Sequence, residues 1–208
     1  MPRATYTLER LAGGTVAGVD EAGRGPLAGP VVAAAVILPA RRWPTGIADS
    51  KALTAQARAD LHAELTGRAR YGVGHATVEE IDTINIYWAT MLAMRRAVAA
   101  LPCAPTLVLV DGNADPRCGH PTRTVIGGDA ICLSIAAASI IAKHTRDVLM
   151  IALAQAHPEY GWASNKGYGC PTHQAALKRH GPTPYHRRSF RAVAQAYAQA
   201  ESRAQQPA

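Results

Sequence analysis

Thr15-Val16-Ala17-Gly18-Val19-Asp20-Glu21-Ala22-Gly23-Arg24-Gly25-Pro26 begins as an apolar segment, runs into two adjacent carboxylates and ends on an arginine held between glycines. Thr15 to Val19 reads as a buried strand. An Asp-Glu pair at its end suits a hard divalent cation, which takes oxygen ligands. The flanking glycines let backbone come close to a ligand, and Arg24 can grip a phosphate with its planar fork. Metal ligands and a phosphate grip within Asp20 to Gly25 point to phosphate chemistry.

Working outward, Val31 to Leu38 is a continuous apolar run, as a buried strand should be, and Tyr71 to Val78 alternates in part. Between them Ala55 to Gly67 reads as a helix with Thr54 as N-cap and Gly67 as stop, and Thr77 caps a helical turn from Val78. Ile86 to Leu101 reads as a helix closed by Pro102 and Pro105. Thr106 to Val110 and Arg123 to Ile126 read as short strands. Ile131 to Ala156 reads as one long helix, on which Ser139, Lys143 and Asp147 form a polar stripe at i, i+4 and i+8. Helices over Thr172 to His180 and Ser189 to Arg203, the latter capped by Ser189, complete the chain. Strands first and helices later predict an α/β fold, a mixed sheet flanked by helices with a helical C-terminal region.

The 208 residues fit a single domain spanning 1–208, with a basic helical region over about 158–203 inside it. A hydrophobic fraction of 48% excludes a wholly disordered chain. The net charge of +7 is unevenly spread: Tyr160 to Ala200 holds no Asp or Glu but carries Lys166, Lys178, Arg179, Arg187, Arg188 and Arg191. One sign of charge over so long a stretch suits a polyanion, although a solvated basic tail has the same composition. Cys103, Cys118, Cys132 and Cys170 form no C-x-x-C pair, which argues against a zinc site and fits a reducing compartment. The chain start lacks an apolar signal core and no apolar run spans a bilayer, so a cytoplasmic protein with no membrane partner is expected. No feature demands an oligomer, and a monomer is expected.

Two further acids stand where strands and helices change over: Asp111, in Asp111-Gly112-Asn113, and Asp129, after Gly127-Gly128. Singly, each is as readily a turn residue, and Asp129 a helix cap. Were their strands neighbours of the first, four carboxylates would crowd one sheet edge and repel unless cations neutralised them. Two divalent ions at a separation of roughly 3.5–4 Å are how phosphodiester-cleaving sites resolve that repulsion.

At this point the sequence resembles the bacterial ribonucleases HII, the type 2 ribonucleases H. Five blocks carry the resemblance in the family's order: Gly18 to Val31, Asp49-Ser50-Lys51, Val110 to Asn113, Ser134 to Lys143 with Thr145-Arg146-Asp147, and Gly167-Tyr168-Gly169 with Thr172-His173. The resemblance implies a ribonuclease H-like fold and endonucleolytic hydrolysis of the RNA strand of an RNA–DNA hybrid. It also implies a cut on the 5′ side of single ribonucleotides embedded in duplex DNA. It places the metal-binding carboxylates, for two Mg²⁺ or Mn²⁺ ions, on Asp20, Glu21, Asp111 and Asp129. The loop that senses the ribose 2′-hydroxyl falls on Gly23, Arg24 and Gly25, and the junction-sensing tyrosine on Tyr168. Lys51 is expected to contact phosphate, and Ser139 and Lys143 to support the site or touch substrate. His173 is expected either to support the site or to serve as a cap or core residue. One position departs from the family: its usual lysine two residues before the fourth carboxylate is Gly127 here.

Three other classes are weighed against this. A catalytically silent hybrid-binding module would have lost a carboxylate, and none is lost. A two-metal hydrolase of small molecules has no use for an extended basic track. A dinucleotide-binding oxidoreductase needs a G-x-x-G continuation that Gly23-Arg24-Gly25 lacks.

Overall fold

Strand β1 spans Val16–Ala22, so Asp20 and Glu21 lie inside the strand rather than after it. The reason is pairing: antiparallel β2, Val31–Ile37, continues alongside them, with Asp20 opposite Ala34 and Glu21 opposite Ala33. The computed structural model describes residues 4–41, 43–47, 50 and 53–204, the last two without their side chains. The remaining strands are β3 (Arg70–Ala76), β4 (Leu107–Asp111) and β5 (Thr122–Val125), giving one sheet of order β3-β2-β1-β4-β5. The pairs β1–β4 and β4–β5 are parallel and β1–β2 is antiparallel, so the sheet is mixed, as the strand pattern predicts.

The chain divides into two compact units. The first comprises Met1–Ala22, Val32–His75 and Thr90–Thr145. It holds the sheet, helices α1 (Thr7–Ala12) and α2 (Ala55–Arg68), the later part of α3 (Val78–Ala99), the short α4 (Gly128–Ile131) and the first half of α5 (Leu133–Ala156). Thr54 caps α2 as predicted, its Oγ1 accepting the Ala57 N–H at 3.2 Å. Ala34, Val36 and Leu38 pack with Leu61 and Leu65 of α2 and with Ala137, Ile140 and Ile141 of α5. Gly18 admits α5 to this face of the sheet: a Cβ there would stand 2.2 Å from the Ser134 carbonyl carbon. Gly72 and Gly74 of β3 admit α3 in the same way, since a Cβ on either would stand 2.3 Å from the Ala97 or Ala93 carbonyl oxygen.

The helix read over Ile131 to Ala156 is two helices. Cys132 is extended and bridges Thr5, whose N–H and C=O bond Ile131 O and Leu133 N. Glu9 then serves as the cap of α5, its Oε1 accepting the Ser134 N–H at 2.7 Å. A carboxylate at that end also meets the positive pole of the helix dipole.

The second unit comprises Gly23–Val31, Ala76–Ala89 and Arg146–Ala208. It contains α6 (Trp162–Asn165), α7 (Pro171–His180) and α8 (Arg191–Ala204). Met150, Tyr160 and Trp162 pack around Ala28, and Leu177, Val193 and Ala196 pack with Leu27 and Phe190. Thr77 and Glu80 form a reciprocal capping box at the start of α3. That helix breaks at Asn85 (φ 63°), whose Oδ1 restarts it by accepting from the Tyr87 and Trp88 N–H groups. Ser189 is not the cap predicted for the last helix: its N–H and hydroxyl both bond the Asp82 carboxylate, and α8 starts two residues later. Among the described residues, no helix is long and apolar enough to cross a membrane.

Candidate active site

The four predicted carboxylates all belong to the first unit. Parallel pairing sets Val19 opposite Val110, so Asp20 and Asp111 follow at the same level on neighbouring strands. Side chains alternate along a strand, so Asp20 leaves on the face of Gly18, toward α5, and Glu21 on the other. Asp111 shares the face of Leu109, which packs on Ile135 of α5. Asp129 lies in the first turn of α4, and Gly127, at φ 64°, is the left-handed residue that starts the helix. The capping role open to Asp129 in the sequence therefore falls to another residue.

Backbone groups hold two of these acids. Asp111 Oδ1 accepts the Gly128 N–H at 2.7 Å, and Asp20 Oδ1 accepts the Glu21 N–H at 2.7 Å. Gly128 is small for cause: a Cβ there would stand 2.6 Å from Ile135 Cδ1 and 3.3 Å from Asp111 Oδ1. Asp20 is 5% exposed. Burial, then the charges of Glu21 and Asp111 and finally of Asp129, push its carboxyl well above the usual range. Four hard oxygen donors, one of them raised by burial and by the charges of the others, are chemically suited to divalent cations. Among the described residues, no three His, Cys, Asp or Glu side chains are already gathered into a closed ligand set. The backbone brings the acids to one edge, and their fit to a cation rests on donor chemistry and charge.

The Gly-Arg-Gly loop and Tyr168 belong to the second unit. Gly23 is buried, while Arg24 and Gly25 are exposed. Gly23 has φ 96°, and a Cβ on it would stand 2.0 Å from Arg146 Nε, so both conformation and space demand glycine. Gly25 lies beside the Tyr168 ring, which is 45% exposed. Leu27 N–H bonds Gly167 O at 2.8 Å, tying the two segments together.

Two buried arginines hold the segment from Gly23 to Pro30, and neither has a role legible in the sequence. Arg187 donates to the carbonyl oxygens of Gly23 (2.6 Å), Arg24 (2.9 Å) and Gly29 (2.9 Å). Arg146 donates to those of Ala28 (3.1 Å), Pro30 (3.0 Å) and Lys166 (3.0 Å). Burial, and then the Arg146 charge, lowers Arg187 to about 9. Arg146 lay within a family block and Arg187 within the acid-free stretch, but both read there only as positive charge.

Other predicted residues fall elsewhere. Ser139 is 2% exposed and its hydroxyl donates to Ala136 O, an intrahelical bond in the core of the first unit. Asp147 is also buried and Lys143 partly so, so the stripe on α5 is not a solvated face. Lys51 and Asp49 lie outside the described residues. His173 is fully buried on α7.

A family model described as Ribonuclease HII matches residues 17–193. The chain belongs to the ribonuclease HII family. A ribonuclease HII from Rhizorhabdus wittichii is 66% identical over 180 residues, covering 86% of this chain and 89% of the relative. Among solved structures, ribonuclease H2 from Pyrococcus horikoshii OT3 superposes with a TM-score of 0.77 at 28% identity, over 90% of this chain and 99% of that one. Bst-RNase HIII in complex with Mn²⁺ gives a TM-score of 0.74 at 18% identity, over 90% of this chain and 70% of that one, a likeness of fold. The mixed sheet is thus the ribonuclease H-like fold. The protein is an endoribonuclease, a phosphodiester hydrolase acting on RNA–DNA hybrids.

Proposed function

We propose that the protein cuts on the 5′ side of single ribonucleotides embedded in duplex DNA, as well as within longer hybrids, using two divalent cations, Mg²⁺ or Mn²⁺. Asp20, Glu21, Asp111 and Asp129 would hold them. The observation that carries this is the placement of Asp20 and Asp111 at the same level of neighbouring strands, with Asp111 bonded to the first turn of α4 that holds Asp129. Such cations, when bound, supply charge neutralisation, an activated water and stabilisation of the leaving oxygen. Mn²⁺ bound to Bst-RNase HIII, which shares the fold, is consistent with that choice.

The chain's own residues do the rest. The backbone bonds to Asp20 and Asp111 fix those carboxylates before substrate arrives, so little ordering remains at the moment of reaction. The Gly23-Arg24-Gly25 backbone, held by Arg187, offers polar groups to a ribose 2′-hydroxyl, the contact that separates RNA from DNA. Arg24, exposed on that loop, holds a phosphate. Tyr168 lays its exposed ring on the sugar of the deoxynucleotide that follows. The acid-free basic stretch supports duplex binding through phosphate contacts. We read the protein as a cytoplasmic monomer in this role.

The test is cleavage of a labelled DNA duplex carrying one ribonucleotide, with and without Mg²⁺ or Mn²⁺. A metal-dependent cut 5′ of the ribonucleotide is expected. Cleavage of a long hybrid but not of this duplex would remove the junction reading, and cutting in the presence of a chelator would remove the metal reading.

A further inference from the structure

A chain of hydrogen bonds runs through two buried histidines to the backbone of Tyr168. Thr183 N–H meets His186 Nδ1 at 3.0 Å. His186 Nε2 lies 3.1 Å from His173 Nε2. Trp162 Nε1–H also meets His173 Nε2 at 3.1 Å. His173 Nδ1 lies 2.9 Å from Tyr168 O. His173 and His186 are 0% and 1% exposed.

The partners assign the protons. A backbone N–H only donates, so His186 Nδ1 accepts and the neutral ring carries its proton on Nε2. The indole N–H also only donates, so His173 Nε2 accepts from both Trp162 and His186. The His173 proton is then on Nδ1, where it donates to Tyr168 O, a carbonyl that can only accept. One neutral arrangement gives every bond in the chain a donor and an acceptor, with Trp162 and His186 sharing the single lone pair of His173 Nε2. Burial keeps both rings neutral, lowering His173 and bringing His186 to about 3. An apolar side chain would fill the same volume without the desolvation of two imidazoles, so packing alone does not account for the pair. The chain ends on the peptide that carries the exposed tyrosine, whose N–H is held in turn by Asn165 O at 2.9 Å.

We propose that His173 is a positioning residue for junction recognition: the proton placed on its Nδ1 by Thr183, His186 and Trp162 fixes the Tyr168 backbone and thereby the angle at which the ring meets the sugar. This rests on the reading of Tyr168 as the residue that meets the deoxyribose. His173 acts through Tyr168 and touches no substrate itself.

Two substitutions separate positioning from packing. In His173→Asn the amide N–H sits where Nδ1–H was and retains a donor for Tyr168 O. In His173→Gln the amide oxygen sits where Nε2 was and retains the acceptor for Trp162 and His186, but the donor to Tyr168 is lost. The readout is the ratio of kcat/KM on a single-ribonucleotide duplex to that on a long hybrid, for wild type, both variants, Tyr168→Ala and the Tyr168→Ala/His173→Gln double variant. The ratio should fall by about tenfold in His173→Gln and stay within about twofold of wild type in His173→Asn. The double variant should match Tyr168→Ala, because the two residues act in series. A ratio lowered by Tyr168→Ala but unchanged by His173→Gln would overturn the inference and leave the tyrosine's role intact. A ratio unmoved by Tyr168→Ala would overturn that role and the inference with it. Should His173→Gln fail to fold, His173→Leu removes the same donor to Tyr168 O while filling the volume of the ring. The same fall in ratio is expected, and wild-type selectivity would overturn the proposal.

Discussion

Asp111 accepts the backbone N–H of Gly128 at 2.7 Å, so a proposed metal ligand at the end of β4 also ties down the first turn of α4, which carries Asp129. Charge and scaffold are joined in one side chain and can be separated by substitution. Asp111→Asn keeps an acceptor for Gly128 and loses the charge, whereas Asp111→Ala loses both. Hybrid cleavage should fall by about 100-fold or more in either, reflecting several kcal/mol of lost metal-dependent stabilisation. Only Asp111→Ala should also lose stability, by about 1–2 kcal/mol in urea unfolding. Equal stability of the two variants would show that the Gly128 bond contributes nothing to the scaffold.

Asp20→Asn should separate function from stability in the opposite sense. The wild-type carboxyl is held beside Glu21, Asp111 and Asp129 at the cost of burial and like-charge repulsion. Removing this ionisable carboxyl should raise the metal-free melting temperature at neutral pH by a few degrees, on the order of what 1 kcal/mol gives in a chain of this size. Cleavage should be nearly abolished while hybrid binding is spared. A lower melting temperature for Asp20→Asn would contradict the repulsion argument, and wild-type cleavage would remove its metal role.

Arg187 spans the carbonyl oxygens of Gly23, Arg24 and Gly29 with one planar group. Lysine cannot reproduce that fork. Arg187→Lys should therefore lower unfolding free energy by about 2–4 kcal/mol, because buried carbonyls lose donors. Calorimetry or urea titration giving a value near zero would show that water or neighbouring groups replace the guanidinium.

The buried histidines make stability depend on pH. His186 takes up a proton near 6.5 when unfolded but only at about 3 in the fold. The unfolded chain thus binds more protons between those values, and stability must decline as pH falls through that window. From pH 7 to pH 5 this one group should remove about 2 kcal/mol. Urea unfolding of wild type and His186→Asn at both pH values measures it. The variant should lose less stability than wild type over the interval, and parallel losses would place the pH dependence elsewhere.

The sequence by itself determined the local elements and the chemistry they carry. The β-branched and apolar run ahead of Asp20 specified a strand, Thr54 specified the start of α2 through a bond three residues away, and the stretch from Tyr160 to Ala200 showed its one-signed charge. Only the tertiary structure decided what these residues meet. Strand pairing placed Asp20 level with Asp111. The Thr5 segment split one apparent helix into α4 and α5, and Glu9 capped the second from 125 positions away. Arg187 reads as surface charge in the sequence, yet its guanidinium is buried on the carbonyl of Gly23, 164 residues distant. His173 and His186 receive their proton positions from partners on separate turns of chain. Propensity and periodicity are set by near neighbours, so a sequence displays them directly. The partner of a buried polar group is set by which distant segments fold together, and burial then enforces the pairing because an unpaired donor or acceptor costs too much to keep.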